Sequence, residues 1–136
     1  ALQRVQIIKG SITSGGARPS EKVFDVVCSD GLEVDPTTHR CPDNGARVNI
    51  EDCSITDNVG ATELKATWRD PEFNPQDKAF YYVRVLENPT CRWSTWDALK
   101  AGVKPRSDMH KTIQERAWSS PIWYIPVPED IDIFAL

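Results

Sequence analysis

The sequence is short of the parts from which most active sites are assembled. It contains two histidines, His39 and His110, and neither HxH nor HExxH spacing. Hydrolytic metal sites gather several His and carboxylate ligands at such spacings, so no complete metal centre is expected in this chain. No GxSxG elbow frames a serine, and neither of the Gly-rich phosphate-loop patterns occurs. No apolar run approaches the roughly 18 residues needed to cross a bilayer, so no membrane span is expected. Basic clustering is absent too: the net charge is -4, and Lys and Arg are scattered among acids. Nucleic-acid binding concentrates cations on one surface, so nucleic acid is an unexpected partner. The chain opens at Ala1 without an initiator Met, a basic n-region or an h-region. It therefore reads as a fragment or mature product whose targeting sequence lay upstream.

What is present fits one globular domain: 136 residues, 40% hydrophobic and 26% charged. Cys28, Cys41, Cys53 and Cys91 form an even set with no CxxC pair, which favours two disulfides over a metal site or free thiols. Three pairings exist. Cys28–Cys41 is favoured because the intervening SDGLEVDPTTHR is almost all turn formers, leaving Cys53–Cys91 as the longer closure. Disulfides imply an oxidising compartment, periplasmic or extracellular.

Period-two alternation dominates the pattern. Leu64, Ala66 and Trp68 share one side of a would-be strand, with Glu63, Lys65, Thr67 and Arg69 on the other. Ala79 to Leu86 reads as a central strand, joined to the first by the turn-rich DPEFNPQDK in an expected hairpin. Leu2 to Ile12 and Lys22 to Cys28 form a second expected hairpin around SGGARPS, with a short strand at Arg47 to Ile50. Pro121 to Pro126 reads as an edge strand bracketed by prolines. Helix is confined to Ser94 to Lys100, with Ser94 as N-cap candidate, and a turn at Thr112 to Ala117. The fold class expected is mainly β, an antiparallel sandwich-like domain with one or two short helices, stabilised by disulfides. Residues 1–126 form the domain; 127–136 form an extension in which Ile131, Asp132 and Ile133 alternate as a last strand or a loose tail.

Among candidate functional residues, Asp30, Asp35, Asp43, Glu51 and Asp52 fall in turns, where Asp bonds its own backbone; their spacing does not fit an EF-hand calcium loop. His39 is expected exposed in the disulfide loop and His110 solvated in RSDMHK. The aromatics Trp68, Trp93, Trp96, Trp118, Trp123, Tyr81, Tyr82 and Tyr124 suit core or interdomain packing better than a sugar-stacking platform. Arg92 is the best candidate for a functional cation, although Arg stacked on Trp is also an ordinary structural contact. Arg92, Trp93, Trp96 and Trp118 are the candidate interface or site-rim residues.

Four segments, CSDGL (28–32), HRCPDNGA (39–46), FYYVRVLENPTCRWSTWDA (80–98) and ERAWSSPIWY (115–124), carry a resemblance. They resemble the C-terminal region of large bacterial exported proteins of unknown function, similar to the PHP (polymerase and histidinol phosphatase) superfamily of metal-dependent phosphoesterases. The resemblance runs from about Leu2 to Tyr124, while VPEDIDIFAL (127–136) has no counterpart in it. It implies an upstream domain of the same chain carrying the His- and Asp-rich site and its divalent metal. None of those ligand motifs matches a position here, so no cofactor is expected in this fragment. Three roles remain open: an accessory domain packed on that upstream domain, an independent carbohydrate-binding module, or a rim that completes the upstream site through Arg92 or Asp97.

Overall fold

The computed structural model describes residues 1–13 and 19–127. Its centre is strand β1 (Leu2–Ile12), flanked by β2 (Ser20–Cys28) and β3 (Lys78–Glu87), both antiparallel to it. After β3 the chain runs through β4 (Thr90–Cys91), helix α1 (Trp93–Lys100), β5 (Thr112–Ile113), β6 (Arg116–Trp118) and β7 (Ile122–Tyr124). The five-stranded sheet has the order β2-β1-β3-β6, with β7 also on β3; β4 and β5 make a separate two-stranded sheet. Strands β6 and β7 follow one another along the same partner, opposite Arg84–Leu86 and Ala79–Tyr81 respectively. Ser119 bridges the gap: its backbone N–H donates to the Val83 carbonyl, and its hydroxyl accepts from the Val83 N–H. The mainly β, antiparallel, disulfide-bearing architecture expected from the period-two pattern is the one observed, with β1, β2 and the PIWYIP edge strand at their expected places. The turn SGGARPS lies mostly, and the segment from Pro128 onward wholly, outside the described residues.

Four local expectations are corrected. Residues 63–69 form no strand, and β3 pairs with β1 instead of with them. Both edges of β3 are occupied, by β1 and by β6 with β7. The apolar side of 63–69 satisfies itself by lying over the sheet, where Leu64 and Trp68 line a groove with Val5, Ile7, Val27 and Val83. Leu64 and Trp68 are half-buried there while Ala66 is exposed, and alternation does not distinguish a hydrogen-bonded strand from a strap laid across a sheet. Residues 47–50 contribute only the isolated bridge Val48–Ile55. The helix begins at Trp93 with Arg92 as its N-cap and no side-chain capping bond, so Ser94 does not cap it. Residues 112–117, expected as a helical turn, contain β5 and the start of β6, because the sheet offered open edges at Cys91 and Leu86.

Directly opposed residues in an antiparallel pair share a face, and residues two apart in a strand do so too. One face of the sheet therefore carries Ile7, Lys9, Phe24, Tyr81 and Tyr124, under the 64–73 strap. Phe24 is 2% exposed, and Trp68 packs over it with ring centroids 5.2 Å apart. The other face carries Gln6, Ile8, Gly10, Phe80, Tyr82, Arg84, Trp118 and Trp123. At Gly10 the Phe80 ring crosses the backbone so closely that an added Cβ would meet ring atoms at 2.2 and 2.3 Å.

Loops are fastened by polar bonds rather than by apolar packing. Asn44 donates to Ser29, Asp30 and Asn88, Asn88 donates to the Val59 carbonyl, and Asp30 accepts from the Gly60 N–H. Gly60 sits at φ +94°, and a Cβ there would meet the Asn88 amide at 2.6 Å, so glycine is required on both counts. Asp25, its side chain fully buried, accepts from Gln6, Arg4 and the Cys41 N–H and ties the 39–41 segment to the edge of β2. The disulfides are Cys28–Cys41 and Cys53–Cys91, with Cα–Cα distances of 5.7 and 5.6 Å.

Two stability predictions follow from these contacts. In the chain-entropy picture, replacing both Cys28 and Cys41 by Ala costs about 3 kcal/mol, and replacing both Cys53 and Cys91, which close the longer loop, about 4 kcal/mol; urea unfolding of the two double variants tests the order. Gly10→Val displaces the Phe80 ring and is expected to cost about 1–3 kcal/mol as an overpacked site, read in the same unfolding assay together with the emission of Trp123, which packs 5.2 Å from Phe80.

Candidate functional site

Three places in the described residues bring chemistry-bearing side chains together. The first is the polar cluster under the strap. Lys9 projects from the strap-facing side of β1, between Ile7 and Ser11 along the strand, and its ammonium lies 2.6 Å from Asp70. It also donates to the Glu72 carbonyl at 2.9 Å, and Tyr81 donates to the same Asp70 oxygen at 2.7 Å. Lys9 and Asp70 side chains are only 8% and 6% exposed. Burial would raise the Asp70 pKa, but hydrogen bonds from Lys9, Tyr81 and the Glu72 N–H outweigh it and hold the carboxyl below its usual range. The Tyr81 phenol is pushed well above its ordinary value, first by burial and then by its bond to Asp70. Every partner here is satisfied within the cluster, which makes it a clamp for the strap rather than a reactive centre. Sequence reasoning passed it over. The available signal was Lys9 itself, an ammonium on the same side of β1 as Val5 and Ile7.

The second place is the opposite sheet face, buried at Gln6 and Ile8 and exposed at its edge tryptophans. Phe80 and Tyr82 lie parallel, and Trp123 sits against Phe80 at 5.2 Å. Trp118, opposite Arg84, and Trp123, opposite Phe80, bring two indoles to this face that are 60% and 68% exposed. Beside it, at the far ends of β1 and β3, runs a mostly apolar groove of about 460 Å³ lined by Gly10, Ile12, Phe80, Trp123 and Ile125.

The third place is a groove of about 400 Å³ between β4–β5 and β6, lined by Arg92, His110, Gln114, Glu115, Arg116 and Trp118 among others. Of the residues singled out from sequence, Arg92 and Trp118 meet in this groove. Trp93 and Trp96 do not join them: they stand on α1, 68% and 42% exposed. Trp68 belongs to the strap, and Trp123 reaches the open face through the alternation of β7, whose Ile122 and Tyr124 turn the other way.

The remaining candidates have local duties. Asp35 accepts from the Thr37 and Thr38 N–H groups, Asp43 from Gly45 and Arg47, and Asp52 from Ser54. His39 is half-buried with its ring 5.2 Å from Phe24, a correction to the exposed position expected; the edge of β2 draws in the 39–41 segment through the Asp25 N–H to the His39 carbonyl. His110 is exposed. Among the described residues no group of three or more His, Cys, Asp or Glu side chains is placed to hold a metal, and no helix is long and apolar enough to cross a membrane.

The class so defined is a mainly β, antiparallel domain closed by two disulfides, with an open aromatic face and a cationic groove beside it. The chain belongs to the family described as "Protein of unknown function (DUF3604)", whose family model matches residues 1–126. No curated protein and no solved structure matches it.

Asp70→Asn leaves the Lys9 ammonium buried without its counter-charge and is expected to cost about 3–5 kcal/mol, measured by denaturant unfolding. The pH dependence has a defined sign. Because the Asp70 pKa is lowered in the folded state, its contribution is complete above the unfolded value of about 3.9. That contribution is lost as pH falls below it and through the folded value. The wild-type chain should therefore lose more stability than Asp70→Asn on acidification from about pH 5.

Proposed function

We propose that this chain is a non-catalytic accessory domain of a larger exported protein, seated through its open aromatic sheet face on an upstream domain of the same polypeptide. The observation that carries this reading is the exposure of Trp118 and Trp123 on the face that also presents Phe80 and Tyr82. Large aromatics exposed together on one face are expensive in water and are characteristic of surfaces that meet another protein surface. The two disulfides are compatible with an exported location. The resemblance to PHP-like hydrolases supplies the nature of the upstream partner: a metal-dependent, hydrolase-like domain that brings its own ligands and divalent metal.

A carbohydrate-binding module is the competing reading, since two exposed indoles on one face are also what a sugar platform needs. Hydrogen–deuterium exchange separates the two. In the parent protein, the amides of 116–124 are expected to exchange more slowly than in the isolated chain, and Trp118→Ser with Trp123→Ser should abolish the difference. Equal exchange in both contexts, with a saturable change in tryptophan emission on adding oligosaccharide, would replace docking by sugar binding.

A further inference from the structure

We propose that the groove between β5 and β6 is a binding site for a tetrahedral oxyanion of the phosphate class, held by Arg92 and Arg116. The inference goes beyond the docking role and does not depend on it. It starts from the arginines. Arg4 and Arg40 are paired with Asp25, Arg47 with Asp43 and Arg106 with Asp108, and Arg84 donates to Gln6. Arg92 and Arg116 line one groove, and neither guanidinium has a protein partner among the described residues, a state shared elsewhere only by the exposed Arg69. The Arg92 Nε is moreover sealed from solvent with no acceptor, the one such buried polar side-chain atom among the described residues. A buried donor left unpaired is costly; because this atom is closed to solvent, an anion in the groove would be met by the remaining N–H groups of the guanidinium.

Arg92 is also held in place. Its N–H donates to the Lys111 carbonyl at 2.9 Å, its own carbonyl accepts from Thr95 and Trp96, and the preceding Cys91 is locked to Cys53. The same Lys111 carbonyl receives the Thr95 hydroxyl at 2.7 Å, fixing the start of α1 against the end of β5. Arg116 is positioned by its register opposite Leu86 in the sheet. Two arginines from separate, fixed elements therefore line one opening, together with His110 and Trp118. Glu115 is the one carboxylate lining the groove, and it forms no ion pair with either arginine. In a chain of net charge -4 this leaves a local excess of cation at the opening. A carboxylate offers two oxygens and a phosphate at least three, so two forked donors from different directions find more acceptors on the tetrahedral ion.

The experiment is a titration of the 136-residue chain with inorganic phosphate at constant ionic strength. It follows the Arg Nε–H and Trp indole N–H signals in ¹⁵N-correlated NMR spectra. Saturable shifts of Arg92, Arg116 and the Trp118 indole are expected, with acetate binding more weakly than phosphate. Arg116→Gln changes an exposed side chain and should weaken binding about tenfold, the loss expected for one charge-assisted contact. Arg92→Gln should do the same, with preserved backbone dispersion showing that it folds. Shifts that chloride reproduces, shifts that never saturate, or phosphate affinity unchanged in Arg116→Gln would each overturn the assignment. Acetate binding as tightly as phosphate would overturn the tetrahedral class.

Discussion

Strand β1 is hydrogen-bonded along both edges, to β2 from Arg4 to Ser11 and to β3 from Leu2 to Ile12. The second pairing is the one that the rest of the molecule serves. The β1–β2 hairpin is local and closes a short turn, whereas joining Ile12 to Lys78 closes a long and largely irregular loop. Closing such a loop carries an entropic cost that ladder bonds alone offset poorly. The intervening chain is accordingly fastened at intervals by the Cys28–Cys41 bridge, the Asn44–Asn88 bond, the Cys53–Cys91 bridge and the Lys9–Asp70 pair. Each of these links the long loop to the sheet or its margin, and together they replace a second full layer of apolar packing.

This arrangement gives the two faces of the sheet different fates. The strap, bearing Trp68, Asp70 and Phe73, covers the face with Phe24 and Tyr81 and is held down by buried charge and aromatic contact. On the opposite face Gln6 and Ile8 are buried while the edge strands β6 and β7 add the exposed Trp118 and Trp123. A sheet stabilised from one side can leave its other side for a partner. The groove lined by Arg92 and Arg116 lies at the rim of that face, where β6 meets the two-stranded β4–β5 sheet.

Much of this was legible in the residues. The continuous apolar run at 79–86 marked β3, the strand-like segments on either side of SGGARPS marked β1 and β2, the prolines around Ile122–Tyr124 marked an edge, and the turn-forming content of 29–40 pointed to a short disulfide loop. The misreadings share a cause. Segment 63–69 alternates like a strand and Thr112–Ala117 was read as helical, but whether a segment hydrogen-bonds to a sheet depends on which edges stand free, and that is a property of the assembled topology. Likewise the five tryptophans look equivalent along the chain. Only the assembled fold separates Trp68, packed on Phe24 from the strap, from Trp118 and Trp123 placed by register on one sheet face and from Trp93 and Trp96 on the helix.

By itself, then, the sequence determined the β character, the disulfide chemistry and the lack of a self-contained metal or nucleophile motif, because these rest on local periodicity and on the presence of particular residue types. Tertiary structure alone decided that Lys9, Asp70 and Tyr81 form one buried cluster, that two exposed tryptophans share a face, and that Arg92 and Arg116 line one groove with no ion-pair partner among the described residues. Those are juxtapositions of residues far apart in the chain. They depend on strand register and loop closure, and no short-range pattern encodes them.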